Sequence, residues 1–243
     1  MLNRIRISLF FAFLLSISIS FGEMLSPSDD KMLNYIHVLF EWEQEPYASE
    51  YQLEISQDQS FSNIILSTIT EALIYIDTEN LLWNTTYYWR VRAIYEDQST
   101  SNWINQYTFT TLDNITSTDI ILYDSGEYQQ GVTFLGSYTP VDLDGNSYKF
   151  TAAFDKDGNE IWNTQDNNII MYNTNFNGEL YGCHYNPQLE NSYPGVELDL
   201  DNNYIWEEPN DEFVHHDLLR LPDGNYIGIA ESIQNLPVPE SGP

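Results

Sequence analysis

Apolar and polar residues alternate in short runs in the first part of this chain. VLFEWE (Val38 to Glu43) and YQLEISQD (Tyr51 to Asp58) show it, and LIYIDT (Leu73 to Thr78), TYYWRVRAIY (Thr86 to Tyr95) and YTFTT (Tyr107 to Thr111) read as further strands. In the second run Tyr51, Leu53 and Ile55 share one face. A period of two is the period of a strand with one buried face. Strands at this spacing, separated by polar turns, predict a sandwich of about 90 residues between Ser26 and Leu112. No sustained helical period occurs outside the N-terminus.

After a polar stretch from Asp113 to Thr118 the character changes. Asp, Asn and Gly dominate the turns: DLDGN (Asp142 to Asn146), DKDGN (Asp155 to Asn159), FNG (Phe176 to Gly178) and PDGN (Pro222 to Asn225). Each is a hairpin signal in which Gly accepts positive φ. The runs SYKFTAAF, NEIWNT, ELYGCHY, GVELDL, NYIWEE, DLLRL and NYIGIA then read as strands. FDKDGNEIWN (Phe154 to Asn163) aligns with LDLDNNYIWE (Leu198 to Glu207), with Trp162 and Trp206 separated by 44 residues. A period of that length made of strands and turns is one four-stranded propeller blade. The fold class expected is therefore all-β, a sandwich followed by the first two to three blades of a β-propeller. The acidic turns do not fit a calcium loop. Counted from Asp155, Gly158 falls at position 4 and Asp166 at position 12, where an EF-hand needs Gly at 6 and Glu at 12.

Composition adds compartment and partner class. Arg4 and Arg6 precede an apolar run from Ile7 to Ile19, and Ser20-Phe21-Gly22 supplies the small residues of a cleavage site. This predicts a secretory signal over residues 1–22, a secreted or periplasmic protein, and no stable membrane insertion after cleavage. Without it, six cations face 37 acids, a formal charge of −31. That balance excludes nucleic acid as a partner and disfavours anionic membrane surfaces. The acids are dispersed, as on a solubilising surface. Cys183 is the single cysteine, so there is no intrachain disulfide. Two glycosylation sequons, at Asn84 and Asn114, matter only in a eukaryotic host.

The first module, residues 23–112, resembles a fibronectin type III domain. The resemblance rests on Pro27, on Trp42 in an early strand, and on YQLEISQDQSF through Phe61. It continues with Leu81, TYYWRVRA, Trp103 and YTFTT. Tyr87, six residues after Leu81, stands where such sandwiches carry a tyrosine corner. The resemblance implies a spacer or a docking domain for a protein or glycan. An alternative reading of Trp42, Trp89 and Trp103 is a sugar-binding platform, although sandwich cores routinely bury Trp.

The chemistry-bearing residues are few. Of the four histidines, His37 lies in the sandwich. His184 follows Cys183, and His215 and His216 open HHDLLRLPDGN. On a strand His215, Asp217 and Leu219 face one way and His216, Leu218 and Arg220 the other. Asp217 is placed to fix the tautomer of His215. Zinc on Cys183, His184, His215 and His216 is disfavoured, because adjacent ligands on strands point to opposite faces and the spacing fits no usual pattern.

FDKDGNEIWN, ELDLDNNYIWEEP and HHDLLRLPDGNYIGIA resemble the arylsulfotransferase family of secreted β-propellers. The resemblance spans roughly Thr118 to Ser232, and the His-His-Asp segment is its sharpest part. It implies transfer of a sulfuryl group from an aryl sulfate to a phenolic acceptor through a sulfo-histidine. No cofactor or metal takes part. His215, His216 and Asp217 are the candidate catalytic residues, with His216 and Arg220 binding substrate. Such residues suit the chemistry: negative charge spreads over the equatorial oxygens, donors aimed there stabilise it, and imidazole is a competent nucleophile.

The family needs about six blades, whereas the 126 residues from Thr118 to Pro243 amount to fewer than three. The family's sulfate-accepting histidine and channel arginine lie in later blades and have no match here. His215 and His216 match only an early channel histidine, and Arg220 does not match the family's arginine by motif. The expectation is an N-terminal part of a longer enzyme, inactive alone. Its domains are a sandwich at 23–112, a linker at 113–118 and a partial propeller at 119–243. The competing reading is a non-catalytic extracellular binding or adhesion protein on the same scaffold.

Overall fold

A computed structural model describes residues 22–116, 131–138, 149–165, 168–175, 177–185, 194–209 and 217–229. Residues 1–21 of the expected signal segment, the Asp142–Asn146 turn, and His215 with His216 lie outside these residues. The protein is all-β, and the described residues hold no helix.

The first eight strands are β1 (Met24–Ser26), β2 (Lys31–Leu33), β3 (Val38–Trp42), β4 (Ala48–Ser56), β5 (Ile64–Thr70), β6 (Ile74–Asp77), β7 (Thr85–Tyr95) and β8 (Tyr107–Thr111). They form a three-stranded sheet, β1-β3-β6, and a five-stranded sheet, β2-β8-β7-β4-β5. All pairings are antiparallel except β2 with β8. The alternation read from the sequence sets the register. On β7 Tyr87, Trp89, Val91 and Ala93 are buried, while Tyr88, Arg90 and Arg92 face outward. The core between the sheets is aromatic: Phe40 meets Trp89 edge-on at 5.2 Å, and Tyr87 stacks on Phe109 at 5.4 Å. The Tyr87 hydroxyl accepts a hydrogen bond from the Leu82 N–H at 2.8 Å, making the tyrosine corner.

The three tryptophans do not share a platform. Trp42 and Trp89 are core residues. Trp103 stacks with Arg90 and Arg92 at 4.0 and 4.5 Å, and Arg90 also holds Glu54 with Nε at 3.0 Å and Nη2 at 2.6 Å.

Nine further strands follow: β9 (Thr133–Tyr138), β10 (Phe150–Phe154), β11 (Glu160–Asn163), β12 (Ile169–Thr174), β13 (Leu180–His184), β14 (Gly195–Leu198), β15 (Tyr204–Glu207), β16 (Leu218–Arg220) and β17 (Tyr226–Gly228). They form antiparallel sheets ordered β11-β10-β9, β12-β13-β14-β15 and β16-β17. No sheet among the described residues closes on itself. β1, β2, β5, β9 and β12 were not anticipated from the sequence. IILSTIT in β5 is apolar but does not alternate, and IIMYNT in β12 lacks an Asp-Gly turn ahead of it.

β10 is buried on both faces. Phe150, Ala152 and Phe154 pack on Ile115, while Ala153 joins a second core with Trp162, Ile169, Leu180, Val196 and Leu198. Tyr35 and Ile36 of the sandwich pack into that same core. The β2–β3 connection lies along the open edge of β11. Ile36 N–H donates to the Ile161 carbonyl at 3.0 Å, Asn163 N–H to the Asn34 carbonyl at 3.1 Å, and Asn34 Nδ2 to the Asn163 carbonyl at 2.8 Å. An exposed sheet edge is a pairing hazard; here the sandwich covers it.

Residues 113–116 of the stretch read as a linker are tied down as well. Glu160, 6 % exposed, accepts the N–H groups of Ile115 at 3.1 Å and Thr116 at 2.7 Å, and the Asn163 amide at 2.5 Å. Trp83 Nε1 donates to the Glu160 carbonyl at 2.8 Å.

Candidate functional site

Four hairpin turns share one construction. In each, the first residue donates its N–H to the fifth carbonyl and accepts at its own carbonyl from the fourth N–H. This holds for Asp155–Asn159, Asn175–Glu179, Asp199–Asn203 and Leu221–Asn225. The fourth position is left-handed at Gly158, Gly178, Asn202 and Gly224, with φ of 83°, 77°, 62° and 86°. This is a type I turn closed by a bulge. The side chain at position one locks it. Asp155 Oδ1 accepts the N–H groups of Asp157 and Asn159, and Asp199 Oδ1 those of Asp201 and Asn203. The carboxylates therefore serve their own loops. Burial opposes ionisation of Asp155, yet the bonds from Asn159 and Asp157 outweigh it and hold its pKa below the ordinary range. At Leu221–Asn225 position one is apolar, and Asp223 caps Asn225 instead.

Strand direction puts the turns Asn175–Glu179 and Asp199–Asn203 at one end of the β12–β15 sheet, and Leu221–Asn225 at the corresponding end of the β16–β17 hairpin. Arg220 enters the last turn, close to Glu179 at the corresponding end of β13. Its Nη1 lies 3.5 Å from Glu197 Oε1 and 3.9 Å from Glu179 Oε1. Glu197 is fully buried, and the Tyr226 hydroxyl donates to it. The Tyr181 hydroxyl donates to Glu179 at 2.8 Å. Burial, then Glu197, pushes the Tyr226 phenol up to about 12. Burial, then Glu179, pushes Tyr181 well above the tyrosine range. Trp206 stacks on Tyr226 at 3.9 Å and closes the cluster. Arg220, a candidate substrate ligand by sequence, is thus shared by two carboxylates. An acid between Val196 and Leu198 reads as the solvent face of a half-buried strand. It is buried because β16 and β17 cover that face, which the strand's own sequence does not reveal.

Asp217 begins the opposite end. It is exposed, as are Leu219 and Arg220, and Leu218 is buried. His184 ends β13 at that same opposite end. It stacks on Tyr204 at 5.1 Å, and its Nε2 lies 3.6 Å from Glu207. Lys149 sits over the Tyr185 ring at 5.6 Å. Cys183 lies on the other face of β13 and touches the Tyr172 hydroxyl at 2.7 Å. Burial pushes its thiol up to about 11, so it is a core residue at neutral pH. Cys183 and His184 thus have different neighbours on opposite faces, as adjacent strand residues do. His215 and His216 fall outside the described residues.

These features define an all-β protein in which a two-sheet sandwich is docked on a series of antiparallel sheets with repeated turns. No protein-family model matches the chain, and no curated protein matches it.

Proposed function

We propose that the chain carries the first blades of an arylsulfotransferase-type propeller and that His215, His216 and Asp217 contribute to binding the sulfuryl group. One observation carries the reading. The antiparallel sheet β12–β15 contains the turn and Trp-bearing strand that recur from Asp155 after 44 residues, and it is followed by the His-His-Asp segment leading into β16. An up-and-down four-stranded sheet of this kind is the unit of a propeller.

Asp217 precedes β16 at the end opposite the hairpin turns, so the turns and the proposed reactive end are separate. In a chain with 37 acids and eight cations, an anionic donor needs local imidazole groups. His184 and Lys149 lie at the same end as Asp217 and support that assignment. In the transfer, a histidine nitrogen bonds to sulfur as the sulfur–phenol oxygen bond breaks, and the departing phenolate takes a proton from water. The acceptor phenol then displaces the imidazole and gives its own proton to water. His215 and His216 hold sulfate oxygens in this scheme. Arg220, a proposed substrate ligand, would exchange its contact with Glu197 for the sulfate.

The test is turnover of 4-methylumbelliferyl sulfate with phenol as acceptor by the full product of the reading frame. His215→Ala and His216→Ala should lower the rate by about 100-fold or more. Unchanged turnover in both variants would sink the site, and no turnover in the unsubstituted protein would remove the enzymatic reading.

A further inference from the structure

We propose that the junction between the sandwich and the repeated sheets is a binding site for a quaternary or similarly diffuse organic cation with an apolar body. The proposal does not depend on the sulfotransferase reading. A cavity of about 810 Å³ lies there, walled by both parts of the chain. Ligand sites fall in this size range and favour domain junctions.

Its walls are apolar and aromatic. Tyr35 and Leu39 come from the sandwich, Phe134 and Trp162 from the first repeated sheet, and Ile205 from β15. Leu39 is 38 % exposed, Val132 50 % and Ile205 48 %, so apolar side chains that water would otherwise meet converge on one concavity. Trp162 itself is held in place by its indole N–H on the Leu200 carbonyl at 2.7 Å and by the Phe134 ring at 5.7 Å.

Charge selects the ligand. Glu179, Asp199 and Asp201 line the cavity, and no lysine or arginine does among the described residues. The nearby Lys31 is engaged with Asp201 at 3.1 Å. His37, also on the wall, is kept towards its neutral form by burial. An anion would meet this wall in a chain of charge −29.

The state of the carboxylates narrows the class further. Asp199 serves its own turn, Asp201 holds Tyr35 and Lys31, and Glu179 accepts from Tyr181 and Asn175. They retain field but few free acceptor positions. A primary ammonium needs acceptors for three protons, whereas a quaternary ammonium needs only field and ring faces.

The test is titration of the protein with benzyltrimethylammonium, benzylamine, benzyl alcohol and benzenesulfonate, followed by calorimetry and tryptophan fluorescence. Benzyltrimethylammonium should bind about tenfold or more tightly than each of the others. Leu39→Lys and Ile205→Lys place a cation in the cavity at already exposed positions. Each should weaken that binding about tenfold or more while leaving the thermal midpoint unchanged. Should either variant unfold, Val132→Lys serves the same purpose. Absence of saturable binding, equal affinity for benzyl alcohol or benzenesulfonate, or full affinity in the folded lysine variants would overturn the site. Tighter binding of benzylamine would overturn the quaternary class.

Discussion

The hydroxyl of Tyr35 donates a 2.9 Å hydrogen bond to Oδ1 of Asp201, joining the β2–β3 connection of the sandwich to the turn between β14 and β15. Lys31 reaches the other oxygen of the same carboxylate. The two parts of the chain are thus joined both at the β11 edge and at a turn of the next sheet. Tyr35→Phe keeps the ring in its core and removes one bond, so it should cost about 1 kcal/mol in urea denaturation. Asp201→Ala removes the partner of both Tyr35 and Lys31 and should cost more.

Alkaline pH should loosen the same junction. Burial, reinforced by Asp201, holds the Tyr35 phenol well above the ordinary value of 10.0. The unfolded chain then releases this proton first. The stabilisation is complete below 10.0 and is lost as pH rises beyond it towards the folded value. Denaturation midpoints measured on either side of 10.0 should show the loss, with a smaller slope in Tyr35→Phe. An identical slope in the variant would remove Tyr35 as a contributor.

Glu160 holds Ile115 and Thr116, and its replacement separates anchoring from chain length. Glu160→Ala strands two backbone donors and should cost roughly 2–4 kcal/mol. Glu160→Gln retains an acceptor and should cost less. Limited proteolysis should cut near Asp113–Thr116 in Glu160→Ala before it cuts the parent protein.

Arg220 offers a test of structural against ligand-binding roles. Arg220→Met leaves the buried Glu197 without its cation and should destabilise by about 1–3 kcal/mol, discounted because the guanidinium is partly exposed. Adding Glu197→Gln should recover part of that loss. A purely ligand-binding arginine would give no loss and no recovery.

Two glycines separate conformational from steric cost. Gly224, at φ 86°, has open space where a Cβ would stand. Gly224→Ala should therefore cost only the left-handed penalty, about 1–2 kcal/mol. A Cβ on Gly182 would lie 2.2 Å from the Ile170 carbonyl oxygen. Gly182→Ala should lose about 3 kcal/mol or prevent folding. Thermal unfolding of the pair checks the order.

Much of the architecture was legible along the chain. Alternation marked β3 and β4, apolar and aromatic runs marked β6, β7 and β8, and the Asp- and Asn-rich turns marked β10, β11 and the strands from β13 to β17. These signals are local: a period of two places side chains on opposite faces, and a left-handed position at the fourth turn residue selects Gly or Asn. The tyrosine corner was legible because Tyr87 and Leu82 are near neighbours in sequence.

Tertiary structure alone decided what those elements bury. Nothing local marks Asn34–Ile36 as the strand-like cover of β11, because its partner lies more than a hundred residues away and the match is backbone to backbone. Glu160 and Glu197 read as surface acids; each is buried because a distant segment supplies its donors. Arg220, read as free to meet a ligand, stands against a carboxylate 23 residues upstream. Periodicity reports which side of a strand a residue takes, whereas burial and charge pairing depend on which other strand arrives there.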